Sequence, residues 1–357
     1  MNNRLKKFRE ALSKMDLDAA IISGRANTFY LSGFTGDTSF MLVGMDKVWL
    51  IVDFRFTIQA KEEAAKGIEI VEYKESFAQT INELLSQNKI EKVGVEGDKL
   101  TLTEYENFKE KLTKAKVLKN IGNILERIRM VKEEDEIERL QQAVLIGDRI
   151  FDHIIKFIKP GMKEYEIAAE MEYQMKKLGA KGPSFDTIVA GGPRSAMCHG
   201  TASDYAIKKG DALVLDFGVI YRNYCSDMTR TIFIGEPNDQ LKKIYNIVRE
   251  TQQTALDSLK SGMSGFDADK IARDIISEAG YGRNFGHSLG HGVGIEIHEE
   301  PRLSMKSKDI LANGMVFSVE PGIYVEGLGG VRIEDMVVLV DNRPRNLTTS
   351  TKDMIII

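Results

Sequence analysis

Leu213–Phe233 reads LVLDFGVIYRNYCSDMTRTIF, two apolar runs that meet at a polar centre and carry one carboxylate each. β-Branched and aromatic side chains dominate both runs, so the stretch is expected to fold as an antiparallel hairpin. Asp216 interrupts the first run and Asp227 sits in the returning one. With the turn centred between Tyr221 and Arg222, the register places Asp216 directly across the ladder from Asp227, about 5 Å away. Like charges repel at that separation, so either one acid keeps a proton or a cation lies between them. A bound metal is the commoner answer when further ligands exist.

Working outward, the sequence after Asp186 is strand-rich and punctuated by glycines, apart from helical patterns at Asp239–Lys260 and Asp267–Ala279. Upstream, ILERIRMVKEEDEIERLQQAVLIGDRIFDHIIKFIKPG is one long amphipathic helix signal ended by Pro160-Gly161, and a second helix is expected at Lys163–Leu178. The texture changes near Asn120–Glu126, which places a domain boundary there: 1–122 and 123–357. Before it, strand-like runs at 19–22, 40–43, 48–52, 68–71 and 93–95 alternate with helical patterns at 4–15, 57–66, 77–87 and 103–112. That alternation predicts an α/β domain with a mostly parallel sheet. Asp53 and Arg55 in VDFRF read as an ion pair or a site lining, and His153 in IFDHIIKFI reads as an ordinary helical residue.

Composition excludes several functions. At 357 residues the chain is long enough for two domains, and 43% apolar with 29% charged residues is ordinary for a globular protein. A net charge of -4 with no basic block argues against a nucleic-acid partner. No apolar run approaches the ~20 residues that span a bilayer, and the charged start MNNRLKKFREALSKMD is unlike a signal peptide, so a cytoplasmic protein without a membrane partner is expected. Two cysteines, Cys198 and Cys225, give neither a disulfide framework nor a zinc spacing.

The second half also holds His199, His287, His291 and His298, three of them within FGHSLGHGVGIEIHEEP. Gly286, Gly290, Gly292 and Gly294 are expected to leave room for the rings of His287 and His291. Glu320 closes the run MVFSVEPG and Glu334 lies within VRIEDMVVLV, where an unpaired ionised carboxylate would cost several kcal/mol. Strand alternation puts Arg332 on the face of Glu334, where an ion pair is one way to satisfy the acid and a bound cation the other. Taken together, Asp216, Asp227, His291, Glu320 and Glu334 form an oxygen-rich set suited to paired Mn²⁺ or similar divalent ions. Two ions about 3.5 Å apart sharing a water make a nucleophile at neutral pH, which points to hydrolysis. Cys225, two residues before Asp227, is expected opposite Gly218 with its thiol towards the same centre.

The motifs DFGVIYRNYCSDMTRT, FGHSLGHGVGIEIHEEP, FSVEPGIY and GGVRIEDMVVL, in this order, resemble the creatinase/methionine aminopeptidase superfamily of metallopeptidases, and within it the Xaa-Pro peptidases. The resemblance implies a creatinase-like α/β N-terminal domain followed by an α+β pita-bread domain. It implies that Asp227 and Glu334 bridge two metals, Mn²⁺ with Co²⁺ or Zn²⁺ as alternatives, that Asp216 binds one, and that His291 with Glu320 binds the other. His199 would stand near the scissile carbonyl, His287 and His298 would position substrate, and Arg332 would support the bridging glutamate. A metal-bridging hydroxide would attack the carbonyl before proline while Glu320 shuttles the proton. The expected substrate is a small peptide with proline at its second position, and a homodimer is implied. A compact chain with one accessory domain favours an Xaa-Pro dipeptidase. An Xaa-Pro aminopeptidase acting on longer peptides is the nearest alternative, and a non-catalytic pita-bread binding protein a more distant one.

Overall fold

The computed structural model describes residues 3–357. The chain divides into two compact units between Arg129 and Met130. The first contains α1 (Asn3–Lys14), β1 (Ala19–Ile22), α2 (Arg25–Ser32), β2 (Ser39–Gly44), β3 (Val48–Val52), α3 (Thr57–Glu63), β4 (Glu69–Glu72), α4 (Phe77–Gln87), β5 (Lys92–Val95), α5 (Leu102–Lys111) and β6 (Val117–Asn120), and α6 (Ile124–Met130) runs up to the division. Its six strands lie in the order β4-β3-β2-β1-β5-β6. The pairs β3/β4, β1/β5 and β5/β6 are parallel, as alternation with helices requires. β1/β2 and β2/β3 are antiparallel; a tight turn at Gly44–Lys47 joins the second pair, and the chain passes through α2 between the strands of the first. Asp53 and Arg55 form an ion pair 2.5 Å long, and the Asp53 carboxylate also accepts from the Arg55 backbone N–H.

Two elements of this unit carry no sequence signal. In α2, residues 27–32 are all buried, so the segment lacks the polar face that makes a helix readable. The buried Glu96 carboxylate fixes the entry to α2, accepting from the N–H groups of the two preceding residues, Ser23 (2.6 Å) and Gly24 (2.7 Å), and from Asn27 Nδ2 (2.6 Å). The edge strand β6, VLKN, is largely exposed and too polar to stand out.

The second unit begins with α7 (Glu134–Phe157) and α8 (Glu164–Lys177). The long helical pattern is broken between α6 and α7. Val131 bridges to Met315, Lys132 N donates to Gly314 O (2.8 Å), and α7 restarts in a capping box between Glu133 and Glu136. There follow β7 (Gly182–Pro183), β8 (Ile188–Gly191), β9 (Ala212–Phe217), β10 (Val219–Tyr221), β11 (Tyr224–Cys225), β12 (Met228–Phe233), α9 (Asp239–Ser258) and α10 (Gly265–Glu278). The chain ends with β13 (Gly290–Gly292), β14 (Glu299–Leu303), β15 (Val316–Val319), β16 (Gly322–Val325), β17 (Gly329–Arg332), β18 (Asp335–Val340) and β19 (Arg343–Asn346). The main sheets are β12-β9-β8 and β14-β13-β15-β18-β19. Apolar faces of α7 and α8 pack with β8, β9 and β12, and those of α9 and α10 pack with β15 and β18, giving two cores. His153 on α7 is half-exposed and pairs with Glu170 at 2.7 Å.

The hairpin forms, but its register differs from the expected one by two residues. Arg222 and Asn223 both have positive φ, 48° and 64°, and occupy the centre of a two-residue turn. The pairing therefore sets Asp216 opposite Thr229 and Cys225 opposite Ile220, not Asp216 opposite Asp227 or Cys225 opposite Gly218. Asp216 and Asp227 become diagonal neighbours on one face.

Candidate metal centre

Five side chains of the second unit converge, two from within strands and three from residues directly beside strand ends. Asp216 lies on β9, Asp227 directly before β12, His291 in the middle of β13, Glu320 directly after β15 and Glu334 directly before β18. Strand ends are where a side chain can leave the ladder's alternation, and the two cores hold these ends in place. Gly290 and Gly292 serve a different purpose from the one expected. A Cβ at Gly290 would lie 2.0 Å from Ser318 O, and one at Gly292 2.2 Å from Glu300 O, so these glycines let β13 approach its neighbours closely.

The nine residues named from the sequence, Asp216, Asp227, His291, Glu320, Glu334, His199, His287, His298 and Arg332, all line one cavity of about 400 Å³. At its floor, ligand atoms of Asp227, His291 and Glu334 lie within 4.8 Å of one another. His291 Nδ1 faces Gly292 O at 3.1 Å and so carries the ring proton. Burial pushes its pKa down to about 3, so the imidazole is neutral and Nε2 presents a lone pair. That lone pair faces Asp227 Oδ2 at 3.5 Å and Glu320 Oε1 at 3.4 Å. Acceptor facing acceptor is repulsive unless a cation, or a proton kept by one of the acids, lies between.

The carboxylates show the same deficit. Burial, then the neighbouring Glu334, Asp216 and Glu320, hold the Asp227 carboxyl well above the usual range. Burial and then Glu320 do the same to Glu334, and burial lifts Glu320 to about 7. Among the described residues, buried Asp216 Oδ1 and Glu334 Oε1 have no hydrogen-bond partner. Orphaned oxygens, a lone pair aimed at them and an excess of negative charge are what a site for hard divalent cations requires, so these residues fit the group.

Arg332 does not pair with Glu334 directly. Its Nη2 bonds Asp216 Oδ2, its Nη1 donates to Tyr324 OH (2.6 Å) and its Nε to Thr229 Oγ1 (3.0 Å). Thr229 Oγ1 in turn donates to Glu334 Oε2 (2.6 Å), so the support is relayed. The alternation argument fails here because the chain changes sheets between β17 and β18. His287 is likewise engaged by protein. Its Nδ1 lies 2.8 Å from Ser288 O and its Nε2 2.9 Å from Tyr324 OH, so the hydroxyl donates to Nε2 while accepting from Arg332. Burial, then the Arg332 charge, depresses its pKa to about 4. His298, its ring edge-on to His291 at 4.5 Å, and His199 remain exposed to the cavity.

Six lining residues, Phe185, Asp186, Ile188, Thr201, Ser288 and Arg302, escaped the sequence reading. Phe185 and Ile188 give the cavity an apolar wall, and Arg302 pairs with His291 across the β13–β14 ladder. Arg302 stands just past the end of the histidine-rich motif, and no feature of the sequence marks it as the residue that faces His291. Cys198 also lines the cavity, whereas buried Cys225 does not, its Sγ lying 3.5 Å from Ile295 O.

A family model described as metallopeptidase family M24 matches residues 138–341, and one described as the creatinase/prolidase N-terminal domain matches residues 4–131. The chain is 41% identical to the Xaa-Pro dipeptidase of Pyrococcus furiosus over 356 residues, 99% of this chain and 100% of that one. An Xaa-Pro dipeptidase structure from Bacillus anthracis matches with a TM-score of 0.97 at 41% identity, covering 99% of both chains. An X-Pro aminopeptidase structure from Thermotoga maritima MSB8 matches with a TM-score of 0.91 at 41% identity, covering 98% of this chain and 100% of that one. With its carboxylate-rich cavity set in a pita-bread unit that follows a creatinase-type N-terminal domain in the sequence, the chain belongs to metallopeptidase family M24.

Proposed function

We propose that this protein is a prolidase, hydrolysing Xaa-Pro dipeptides at a pair of divalent cations, Mn²⁺ by preference, held by Asp216, Asp227, His291, Glu320 and Glu334. The observation that carries the reading is the convergence of four carboxylates and a neutral imidazole in one cavity with too few protein cations to balance them. Divalent ions bound there supply polarisation of the scissile carbonyl and a water acidic enough to attack at neutral pH.

The chain's own groups do the rest. Hydrolysis joins the water oxygen to the carbonyl carbon, breaks the C–N bond and delivers a proton to the proline nitrogen. Glu320, the least buried of the four acids, takes the water's proton and returns it to that nitrogen. His199, exposed on the wall, donates to the developing oxyanion. His287 acts by holding Tyr324 and Arg332 rather than by touching substrate. Among the described residues none pairs with the Arg302 guanidinium, which is therefore free to meet the terminal carboxylate of a dipeptide. A homodimer, on the strength of the family resemblance, and a cytoplasmic location are part of the same proposal. Gel filtration tests the first.

The deciding experiment compares a Xaa-Pro dipeptide with the matching Xaa-Pro-Xaa tripeptide, with Mn²⁺, Co²⁺ and Zn²⁺ in turn. The dipeptide is expected to be cleaved faster, and Arg302→Met to reduce that preference. Faster cleavage of the tripeptide would assign an Xaa-Pro aminopeptidase instead.

A further inference from the structure

Residues 348–353 contribute nothing to the cavity wall, yet one arginine fastens them to the centre. Arg230 on β12 is fully buried, and its Nε donates to Thr351 O (2.9 Å) while Nη2 donates to Ser350 O (2.7 Å). Nη2 also bonds Asp335 Oδ1 (2.7 Å), and Nη1 donates to Thr229 O (2.9 Å) and Glu334 O (2.5 Å). Every N–H of the guanidinium is thus engaged, on one side by this C-terminal strap and on the other by the backbone of two residues of the centre. Thr229 and Glu334 are also bonded to each other, through Glu334 N to Thr229 O (3.0 Å) and Thr229 Oγ1 to Glu334 Oε2 (2.6 Å).

The strap has its own anchors. Asp148 on α7 accepts from Thr349 N, Thr349 Oγ1, Ser350 N and Ser350 Oγ, at 2.5 to 3.2 Å. Tyr245 OH lies 3.2 Å from Lys352 O and 3.1 Å from Asp353 O, and Lys352 Nζ reaches Asp335 Oδ2 at 3.3 Å. If the strap loosens, two buried donors of Arg230 lose their acceptors and the guanidinium must turn, taking the Glu334 and Thr229 carbonyls with it.

We propose that the strap is a brace for the metal centre and that Asp148 and Arg230 are positioning residues for Glu334. The inference rests on the metal reading above. Metal ligation tolerates displacements of only a few tenths of an ångström, and outer-shell partners of ligands are typically worth 10- to 100-fold in affinity.

The test measures Mn²⁺ affinity by chelator competition, alongside the melting temperature of the metal-free protein, for wild type and Asp148→Ala. The brace predicts about tenfold weaker Mn²⁺ binding in Asp148→Ala, at the low end of that range. The milder pair Thr349→Val with Ser350→Ala, which keeps the backbone bonds to Asp148, shifts affinity in the same direction by less and serves if Asp148→Ala does not fold. A strap that only supports the fold would lower the melting temperature and leave Mn²⁺ affinity at the wild-type value, which overturns the proposal. Wild-type protein that takes up no Mn²⁺ would remove the underlying reading, and the brace with it.

Discussion

Glu334 and Asp335 are consecutive, both essentially buried, and opposite in every electrostatic respect. Asp335 accepts from Arg230 (2.7 Å), Gln252 (2.9 Å) and Asn346 (2.7 Å) and pairs with Lys352 (3.3 Å). Burial pushes its carboxyl up, but the Arg230 and Lys352 charges outweigh it and hold the group below the usual carboxylate range. Glu334 receives one hydroxyl on Oε2 and nothing on Oε1 among the described residues, and burial with Glu320 drives it the other way. Two buried acids at one strand entry thus differ in kind: Asp335 is neutralised by protein cations, whereas the Glu334 carboxylate has none in contact among the described residues. Burial alone does not mark a functional acid; the missing counter-charge does.

The largest effect expected from breaking this contrast is on stability. Asp335→Asn leaves Arg230 buried without its anion and is predicted to cost about 3–5 kcal/mol in urea unfolding. Glu334→Gln, one residue away, is predicted to raise the melting temperature of the metal-free protein at pH 8, since it replaces a buried acid crowded by other carboxylates with a neutral amide. Equal destabilisation by both would erase the distinction.

A second test uses pH. His287 falls from an ordinary value of 6.5 to about 4 in the folded protein, so the unfolded chain binds its proton first on acidification. Its contribution is fully present above 6.5 and is lost as pH falls towards 4, a drop of about 3 kcal/mol at most. His287→Gln is predicted to flatten that limb of the stability profile, and an unchanged slope would show that His287 does not set it.

Smaller still is the effect of metal. Cations that bind only the folded protein add about 2.7 kcal/mol when present at a hundred times their dissociation constant. Mn²⁺ should therefore raise the melting temperature of wild type and of Asp335→Asn, but hardly that of Asp227→Asn, measured by scanning calorimetry. Thr229→Val, which cuts the relay between Arg332 and Glu334, is predicted to weaken Mn²⁺ binding by about 10- to 100-fold.

Much of this was legible before any coordinates. The five converging side chains were readable because each interrupts an apolar strand or a glycine-rich run, and the first unit's β3 and α4 fall on the expected residues. What escaped depends on backbone geometry. The hairpin register hinged on which two residues take positive φ, and Arg222 is an unusual choice that its neighbour Asn223 makes readable only in hindsight. Arg332 was assigned to Glu334 by alternation along a strand that in fact ends between them. Helix α2 is invisible because it is buried on every side, and Arg302 because nothing in a linear motif says which residue faces His291 across a ladder.

The most direct test of the metal centre is an anomalous difference map at the manganese edge from crystals grown with Mn²⁺. Two peaks about 3.5 Å apart, enclosed by Asp216, Asp227, His291, Glu320 and Glu334, are the predicted result. A map without density among these residues, in protein that cleaves an Xaa-Pro dipeptide, would contradict it.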